Sequence, residues 1–301
     1  MASERTPEEA LAAVAAALDA ADLDDLERDR LLRDIERVRR RVEGRQYRLT
    51  GFDDNVLNLP DRAQVFFTEL DFHASIGRSW AALLAGTGAD RAPSIADLGP
   101  GWVPKVELGL FYRGYRGRVV AIDKDPATGA FISRFLALLS PSFTLEPQVV
   151  DVFSAPLPAH AVVTANHVID DLIVDWFIRE WRIAPADLYQ QEGVLAEVWR
   201  RILDRRAANL AEIVPRIAAI FDALTAEGGL LLVSQYPSYV ERVLGLPEVS
   251  AMNEEALEKV RSMLASRGFR EDPSEPARLL AGSDGYLTPE SCHVLRRDHR
   301  P

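Results

Sequence analysis

The feature that most constrains the fold of this chain is the order of segments between residues 94 and 125. A short apolar strand, Ile95 to Leu98, leads into a turn that contains Gly99 and Gly101. A helical stretch and a second apolar strand follow, and that strand ends at Asp123. Glycines let a ligand approach the backbone of the turn, and the next helix directs its amide groups at that ligand. An acid at the tip of the second strand can accept hydrogen bonds from two ribose hydroxyls, so this order predicts a nucleoside pocket.

The kind of nucleoside depends on the rest of the turn, which reads Gly99-Pro100-Gly101-Trp102-Val103-Pro104. Pro104 stands where the dinucleotide-binding fingerprint has its third glycine. A pyrophosphate needs open amide groups at the helix N-terminus, and Pro104 removes one, so NAD and FAD are disfavoured. The pattern Asp97-x-Gly99-x-Gly101 instead resembles the first motif of the class I S-adenosylmethionine (SAM) dependent methyltransferases. The ligand of that family carries a carboxylate and an amine rather than phosphates.

The resemblance covers roughly residues 90 to 301 and implies an α/β fold, Rossmann-like, with a seven-stranded and mostly parallel sheet. Strands at positions that match the family follow in order: Gln148 to Val152, Ala161 to Asn166, and an apolar strand that ends at Ser234 after a Gly-Gly turn. Segments 268–271 and 291–295 supply the last two strands, and the final one is expected to run antiparallel. Helices are expected on both faces of the sheet.

The resemblance also implies which residues would bind SAM as the cofactor. Asp151 would accept from the adenine amine, and Asn166 would contact the amino group of SAM. The full set of predicted cofactor-binding residues is Asp97, Gly99, Gly101, Asp123, Asp151, Val152 and Asn166. Each element also has a structural interpretation, since Asp123 and Asp151 could simply begin Asx-turns and the Gly-Gly pair could end a helix. Their joint occurrence in the order of the family favours SAM binding.

Two segments exceed what a minimal fold of this type needs. Residues 1–85 are predicted as a helical N-terminal cap, or lid, that ends with a helix from Asp61 to about Leu84. Residues 86–301 are predicted as the SAM-binding catalytic domain, with a helical insertion at 168–226. This insertion is expected to contain a long helix from about Gly193 to Leu224, and one or two of its aromatic residues are expected to face the sulfonium cation.

Composition restricts the partners and the compartment. A net charge of −11 argues against a nucleic-acid substrate, because enzymes that act on nucleic acids usually carry a positive footprint. We find no apolar run long enough for a membrane span and no signal peptide, so we expect a cytoplasmic protein without a membrane partner. The single cysteine, Cys292, is interpreted as a packing residue, and no metal-ligand set is recognised. A homodimer is left open.

The predicted catalytic residues follow the fourth and fifth strands. His167 is the candidate general base, oriented by Asp170, Asp171 or Glu69, and His73 is an alternative base. Asn166, Ser234 and Tyr236 complete the predicted catalytic set. The resemblance implies methyl transfer to an oxygen or nitrogen of a small molecule in specialised metabolism, with positioning as the main catalytic contribution.

Two other functions are considered. The helical cap, Asn166 and Ser234 are similar to features of the azetidine-2-carboxylate synthases, which share the fold and use SAM alone as substrate. In that reaction the α-amine of SAM attacks its own γ-carbon and expels methylthioadenosine. The third alternative is a non-catalytic, SAM-binding partner subunit.

Overall fold

The structure, a computed structural model, describes residues 70–101, 104–139, 141–184, 188, 192–237, 245–283 and 285–299. Its strands are β1 (Ser94–Leu98), β2 (Arg118–Asp123), β3 (Thr144–Val149), β4 (His160–Asn166), β5 (Thr225–Ser234), β6 (Phe269–Glu271) and β7 (Cys292–Arg297). Its α-helices are α1 (Leu70–Thr87), α2 (Lys105–Tyr112), α3 (Pro126–Leu139), α4 (Ile169–Glu180), α5 (Glu192–Asp204), α6 (Arg206–Leu224), α7 (Glu248–Ser266) and α8 (Glu275–Leu280). Short 3₁₀ turns occupy Ala89–Arg91 and Pro289–Ser291.

The strands form one seven-stranded sheet in the order β3-β2-β1-β4-β5-β7-β6. β1 pairs with β4, β2 with β3, and β4 with β5, all in parallel. β7 runs antiparallel to both of its neighbours, β5 and β6. The prediction of a Rossmann-like class I methyltransferase fold with a mostly parallel sheet and an antiparallel final strand is therefore confirmed.

The chain divides into two compact units, which we describe separately. The first unit comprises residues 1–94, 100–149 and 279–286. Its described part contains α1, α2, α3 and the parallel β2–β3 pair, whose register runs from Arg118 opposite Thr144 to Asp123 opposite Val149. α1 and α2 pack against each other at glycines, since a Cβ on Gly109 would lie 2.7 Å from the Cβ of Trp80.

The second unit comprises residues 95–99, 150–278 and 287–301. It contains β1, β4, β5, β6 and β7, together with α4, α5, α6 and α7. Residues 230–234 of β5 are all buried. A continuous apolar run of this kind is typical of a central strand that is covered on both faces. The buried side chains of α6, among them Ile213, Ile217 and Phe221, belong to the same core.

The predicted bounds of two elements, the third strand and a long helix, are wrong. The third strand occupies Thr144–Val149 and not 148–152, because the side chain of Asp151 accepts the backbone N–H of Phe153 and ends the extended segment in a turn. The sequence pattern hides this strand because it contains Pro147. A proline is tolerated here because β3 is an edge strand of the sheet.

The predicted long helix from Gly193 to Leu224 is also wrong, because it is two helices, α5 and α6. The break lies at Arg205, whose φ of −120° and ψ of 31° are not helical. The side-chain amide of Asn209 donates to the backbone carbonyl of Ile202 at 2.8 Å and so satisfies an acceptor at the end of α5. Arg206, the residue directly after the break, forms an ion pair with Glu255 of α7 at 2.8 Å.

The predicted N-terminal cap lies mainly outside the described residues. Only α1 belongs to the described part of the segment 1–85, and it continues to Thr87 rather than ending near Leu84. The side chain of His73, the alternative base, also lies outside the described part. Among the described residues, no helix has the combination of length and apolar character that a membrane crossing requires.

Candidate functional site

The end of β1, in the second unit, carries a buried carboxylate and a constrained glycine. Asp97 is 1% exposed, and its Oδ1 accepts a hydrogen bond of 2.6 Å from the hydroxyl of Thr164 on β4. Gly99 has a φ of +62°, and a Cβ at this position would lie 2.5 Å from Cγ2 of Val168. Both the backbone conformation and the available space therefore require glycine at position 99.

The ends of β4 and β5 bring together three of the predicted catalytic residues. Asn166 and Ser234 are directly opposite each other in the parallel register of the two strands. The hydroxyl of Ser234 donates to Oδ1 of Asn166 at 2.9 Å, and Nδ2 of Asn166 donates to the hydroxyl oxygen of Tyr236 at 3.1 Å. All three residues are buried, with Ser234 completely so. This chain of hydrogen bonds ends at a tyrosine hydroxyl, which both accepts and donates.

His167 lies next to this chain and has an uncommon backbone conformation. Its φ is +55°, which is rare for a residue with a side chain, and its backbone N–H donates to the carbonyl of Ser234 at 2.7 Å. Its ring lies 4.5 Å from the ring of Tyr236, measured between centroids. Strained conformations of this type are enriched at functional sites.

The imidazole of His167 has an acidic partner. Nδ1 lies 3.1 Å from Oδ1 of Asp170, and both side chains are nearly buried. When Nδ1, which faces this carboxylate, carries the proton of the neutral imidazole, the lone pair of the ring is on Nε2. Of the other acids predicted to orient His167, Asp171 is exposed and Glu69 lies outside the described residues.

The first unit contains the other predicted nucleoside-binding pair. The carboxylate of Asp123, at the end of β2, accepts the backbone N–H of Asp125 at 2.9 Å and that of Gly101. Burial raises the pKa of Asp123 above its ordinary value, although both backbone hydrogen bonds oppose the shift. Gly101 has a φ of +62°, and among the described residues no atom beyond its chain neighbours lies within 4 Å of a Cβ built there.

Asp151 and Val152 lie two and three residues beyond the end of β3, in a turn of the second unit. Oδ1 of Asp151 accepts the backbone N–H of Phe153 at 3.1 Å, and Oδ2 accepts the hydroxyl of Ser154 at 2.8 Å. The same carboxylate forms an ion pair with Arg179 of α4. Burial would raise the pKa of Asp151, but the hydrogen bonds from Arg179, Ser154 and Phe153 outweigh it and lower the pKa.

The aromatic residues of the insertion have mostly structural surroundings in the described part of the chain. Guanidinium groups lie over two of the rings, Arg216 at 3.7 Å from the centroid of Trp176 and Arg201 at 4.0 Å from that of Trp181. Two others are buried in the core, Phe177 and Trp199. Tyr189 lies outside the described residues. Rings that already contact a guanidinium or the core are poor candidates for contact with a sulfonium.

In the described part of the chain, neither the thiol of Cys292 nor a group of metal ligands adds to the candidate site. Cys292 is buried, and burial raises the pKa of its thiol to about 12, so it is a poor nucleophile. No group of three or more His, Cys, Asp or Glu side chains in the described part of the chain is arranged to hold a metal ion.

Two residues of this region were not identified from the sequence, Thr164 and Arg179. Thr164 lies two residues before Asn166 on β4, so strand periodicity could have placed both side chains on one face. No comparable signal exists for Arg179, because its partner Asp151 is separated from it by 28 residues of chain.

Comparisons with known proteins find likeness only at the level of structure. No protein-family model matches this sequence, and no curated protein matches it. A geranyl diphosphate methyltransferase solved in complex with SAM is 13% identical, with a TM-score of 0.40, over 82% of this chain and 90% of that chain. The CurJ carbon methyltransferase is 13% identical, with a TM-score of 0.48, over 90% of this chain and 67% of that chain.

A third solved structure is the plantazolicin methyltransferase BpumL, in complex with a triazolic desmethylPZN analogue and S-adenosylhomocysteine (SAH). It is 9% identical, with a TM-score of 0.43, and the match covers 98% of both chains. Because all three TM-scores lie below 0.5, the fold assignment rests on the strand order and strand directions of this chain. That order, with a single reversed strand between β5 and β6, is the class I methyltransferase fold.

Proposed function

We propose that this protein binds SAM at the turn of Gly99 and Gly101, with the ribose hydroxyls on Asp123. The observation that carries the proposal is the half-buried carboxylate of Asp123, which already accepts a hydrogen bond from the N–H of Gly101. A carboxylate held in this way has further acceptor capacity for two hydroxyl donors. Pro104, at the N-cap of α2, has no N–H for a phosphate, and this favours a nucleoside without phosphates.

Calorimetric titration with SAM and SAH tests the proposal. Asp123→Asn should weaken both ligands by about 1.5–3 kcal/mol, because charged hydrogen bonds to the ribose are lost. Glu197→Gln, at an exposed site of α5, is the matched control and should leave the affinity unchanged. Absence of binding to the native protein, or equal binding by the Asp123 variant, would reject this placement of the ribose.

The pH dependence of binding gives a second and independent measurement. The pKa of Asp123 is raised in the free protein, and hydroxyl donors stabilise its ionised form, so binding should lower this pKa and release a proton. Affinity should therefore rise as the pH increases through the raised pKa and level off above it. Asp123→Asn should remove this pH dependence, and titration in buffers of different ionisation enthalpy should show the released proton only for the native protein.

For the reaction, we propose methyl transfer to an oxygen or nitrogen of a small-molecule acceptor. His167, with Nδ1 held by Asp170, would accept the proton of the acceptor on Nε2. The acceptor atom would form a bond to the methyl carbon as the carbon–sulfur bond breaks, with the electron pair going to sulfur. The products would be the methylated acceptor and SAH.

One observation favours a second candidate, the cyclisation of SAM to azetidine-2-carboxylate. Hydrogen bonds connect the buried side chains of Ser234, Asn166 and Tyr236 into one fixed set of polar groups. Such a set can bind an amine, which an apolar acceptor pocket could not do as well. In this reaction the neutral α-amine would attack its own γ-carbon, the bond from that carbon to sulfur would break, and methylthioadenosine would leave. To become neutral, the α-ammonium group would first lose one proton, for which His167 is again the candidate base, and the ring nitrogen would keep the other two.

Incubation with SAM alone separates the candidates. Methylthioadenosine without an acceptor would indicate cyclisation, whereas SAH that forms only after a metabolite is added would indicate methyl transfer. Binding without turnover across a broad acceptor panel would favour a non-catalytic partner subunit. In either reaction His167→Ala should lower kcat by about 10²–10⁴-fold, and His299→Ala, at an exposed position, should not.

A further inference from the structure

We infer that Arg179 of α4 positions the turn at residues 151–154 and thereby sets the selectivity of this protein for a 6-aminopurine over a 6-oxopurine. This inference rests on the proposed function, because it assigns the Asp151 carboxylate to the purine of the ligand. Arg179 would not itself contact the purine. It would act through Asp151 as a positioning residue.

The turn at residues 151–154 holds its own shape. The backbone N–H groups of Ser154 and Ala155 donate to the carbonyl of Asp151 at 3.0 and 3.1 Å. Both oxygens of the Asp151 side chain accept from within the turn, Oδ1 from the N–H of Phe153 and Oδ2 from the hydroxyl of Ser154. These bonds fix the turn internally but do not attach it to the rest of the unit.

Arg179 supplies that attachment, because one guanidinium contacts three residues of the turn. It forms an ion pair with Asp151, donates to the hydroxyl of Ser154 at 3.0 Å, and lies 5.4 Å from the ring centroid of Phe153. A planar guanidinium with several donors can fix two acceptors at once, which a lysine ammonium cannot do with the same geometry.

Helix α4 is in turn attached to α6 at this point. The ring of Trp176, one helical turn before Arg179, lies 5.4 Å from that of Phe153. Its indole N–H donates to Glu212 at 2.7 Å, and Arg216 lies over its ring. The Asp151 carboxylate is thus connected to the core of the second unit through α4.

The energetics indicate that this arrangement acts on geometry rather than on stability. Arg179 and Asp151 are each about one-third exposed, at 34% and 36%, and exposed ion pairs of this kind add little to stability. A carboxylate that stays ionised accepts hydrogen bonds but cannot donate them. It therefore suits the exocyclic amine of adenine and opposes the carbonyl oxygen of hypoxanthine.

The test compares binding of SAH with that of S-inosylhomocysteine, in which an oxygen replaces the purine amine. We expect the native protein to prefer SAH, and Arg179→Met to reduce this preference about tenfold, the effect of one charged hydrogen bond. Asp151→Asn should reduce it equally, and the double variant should show no further loss. Arg179→Lys should restore part of the preference. Arg270→Gln, which breaks the exposed pair of Arg270 with Asp298, is the matched control and should have no effect.

A lowered unfolding midpoint with an unchanged preference for SAH would mean that Arg179 is only structural, and would overturn the inference. Additive losses in the double variant would also overturn it, since Arg179 would then act independently of Asp151. The pairing can be tested without any ligand, by NMR titration of the Asp151 carboxyl group. Its pKa should rise toward the ordinary value in Arg179→Met. If the pKa of Asp151 rises in Arg179→Met but the native protein binds neither nucleoside, the pairing is supported and the proposed function is rejected. If the pKa does not rise, the inference itself is overturned.

Discussion

Gly99 and Gly101 have the same φ of +62°, but glycine is needed at the two positions for different reasons. A side chain at position 99 would overlap Val168, which follows β4 in the second unit. A side chain at position 101 would meet no atom of the described residues beyond its chain neighbours. Gly99 is therefore required by both packing and backbone conformation, and Gly101 by its backbone conformation alone. Space beside Gly101 is also what a ligand that approaches the backbone would need.

This difference gives a prediction for two matched variants. Left-handed φ should cost either alanine variant about 1–2 kcal/mol of folding free energy. Gly99→Ala should lose about 1–3 kcal/mol more, because of the overlap with Val168. Urea unfolding would measure both, and Val168→Ala in the Gly99→Ala background should recover part of the loss. Equal stability of the two single variants would contradict the packing argument.

At the scale of elements, the first unit depends on the close approach of α1 and α2. A Cβ at Gly109 of α2 would lie 2.7 Å from the Cβ of Trp80 and 3.0 Å from the backbone nitrogen of Ala81. A Cβ at Gly77 of α1 would lie 2.9 Å from the Cβ of Leu108. Glycine lowers helix propensity, so its presence in both helices is explained by packing rather than by helix formation.

Alanine at Gly109 should therefore destabilise the protein even though alanine is the better helix former. We expect a net loss of about 1–3 kcal/mol, because the two helices must move apart. Gly193 of α5 is the matched control, since a Cβ there has no neighbour within 4 Å among the described residues. Gly193→Ala should be neutral or stabilising by up to about 1 kcal/mol. Thermal unfolding of both variants would measure the contrast, and a stabilising Gly109→Ala would refute it.

At the scale of the whole molecule, we propose different roles for the sheet and for the predicted N-terminal cap. The seven-stranded sheet carries the proposed SAM-binding residues on the ends of β1, β2 and β4 and on the turn after β3. The predicted cap at residues 1–85 remains a proposal, since most of it lies outside the described residues. Its proposed role is to cover the ligand rather than to complete the sheet.

Removal of residues 1–45 should test that role. We expect the truncated protein to keep its sheet, as judged by circular dichroism and a cooperative melt, because every strand of the described sheet lies beyond residue 93. Turnover should fall, because the ligand would lose its cover. Full activity of the truncated protein would remove the lid hypothesis, and loss of the cooperative melt would show that the segment is structural instead.

The site could be predicted in part, and the successful parts have a common physical basis. Asn166 and Ser234 meet because parallel strands that are neighbours in the sheet end at the same edge, a rule that needs only the strand assignment. The N–H of Gly101 reaches Asp123 for a similar reason, because a tight turn and the next strand end are close in a strand–helix–strand unit. The binding and catalytic roles of these residues remain predictions.

By itself, the sequence determined the succession of strands, the glycine turn after β1, and an apolar β5 suited to the interior of the sheet. Local chemistry controls these features, through side-chain periodicity and the allowed backbone angles of each residue. Only the tertiary structure decided that Arg179 holds Asp151, that Thr164 binds Asp97, that the helix breaks at Arg205, and that an edge strand accommodates Pro147. Each of these depends on where a distant segment packs, because a hydrogen bond or a close contact forms only when separate parts of the chain are brought within a few ångströms of each other.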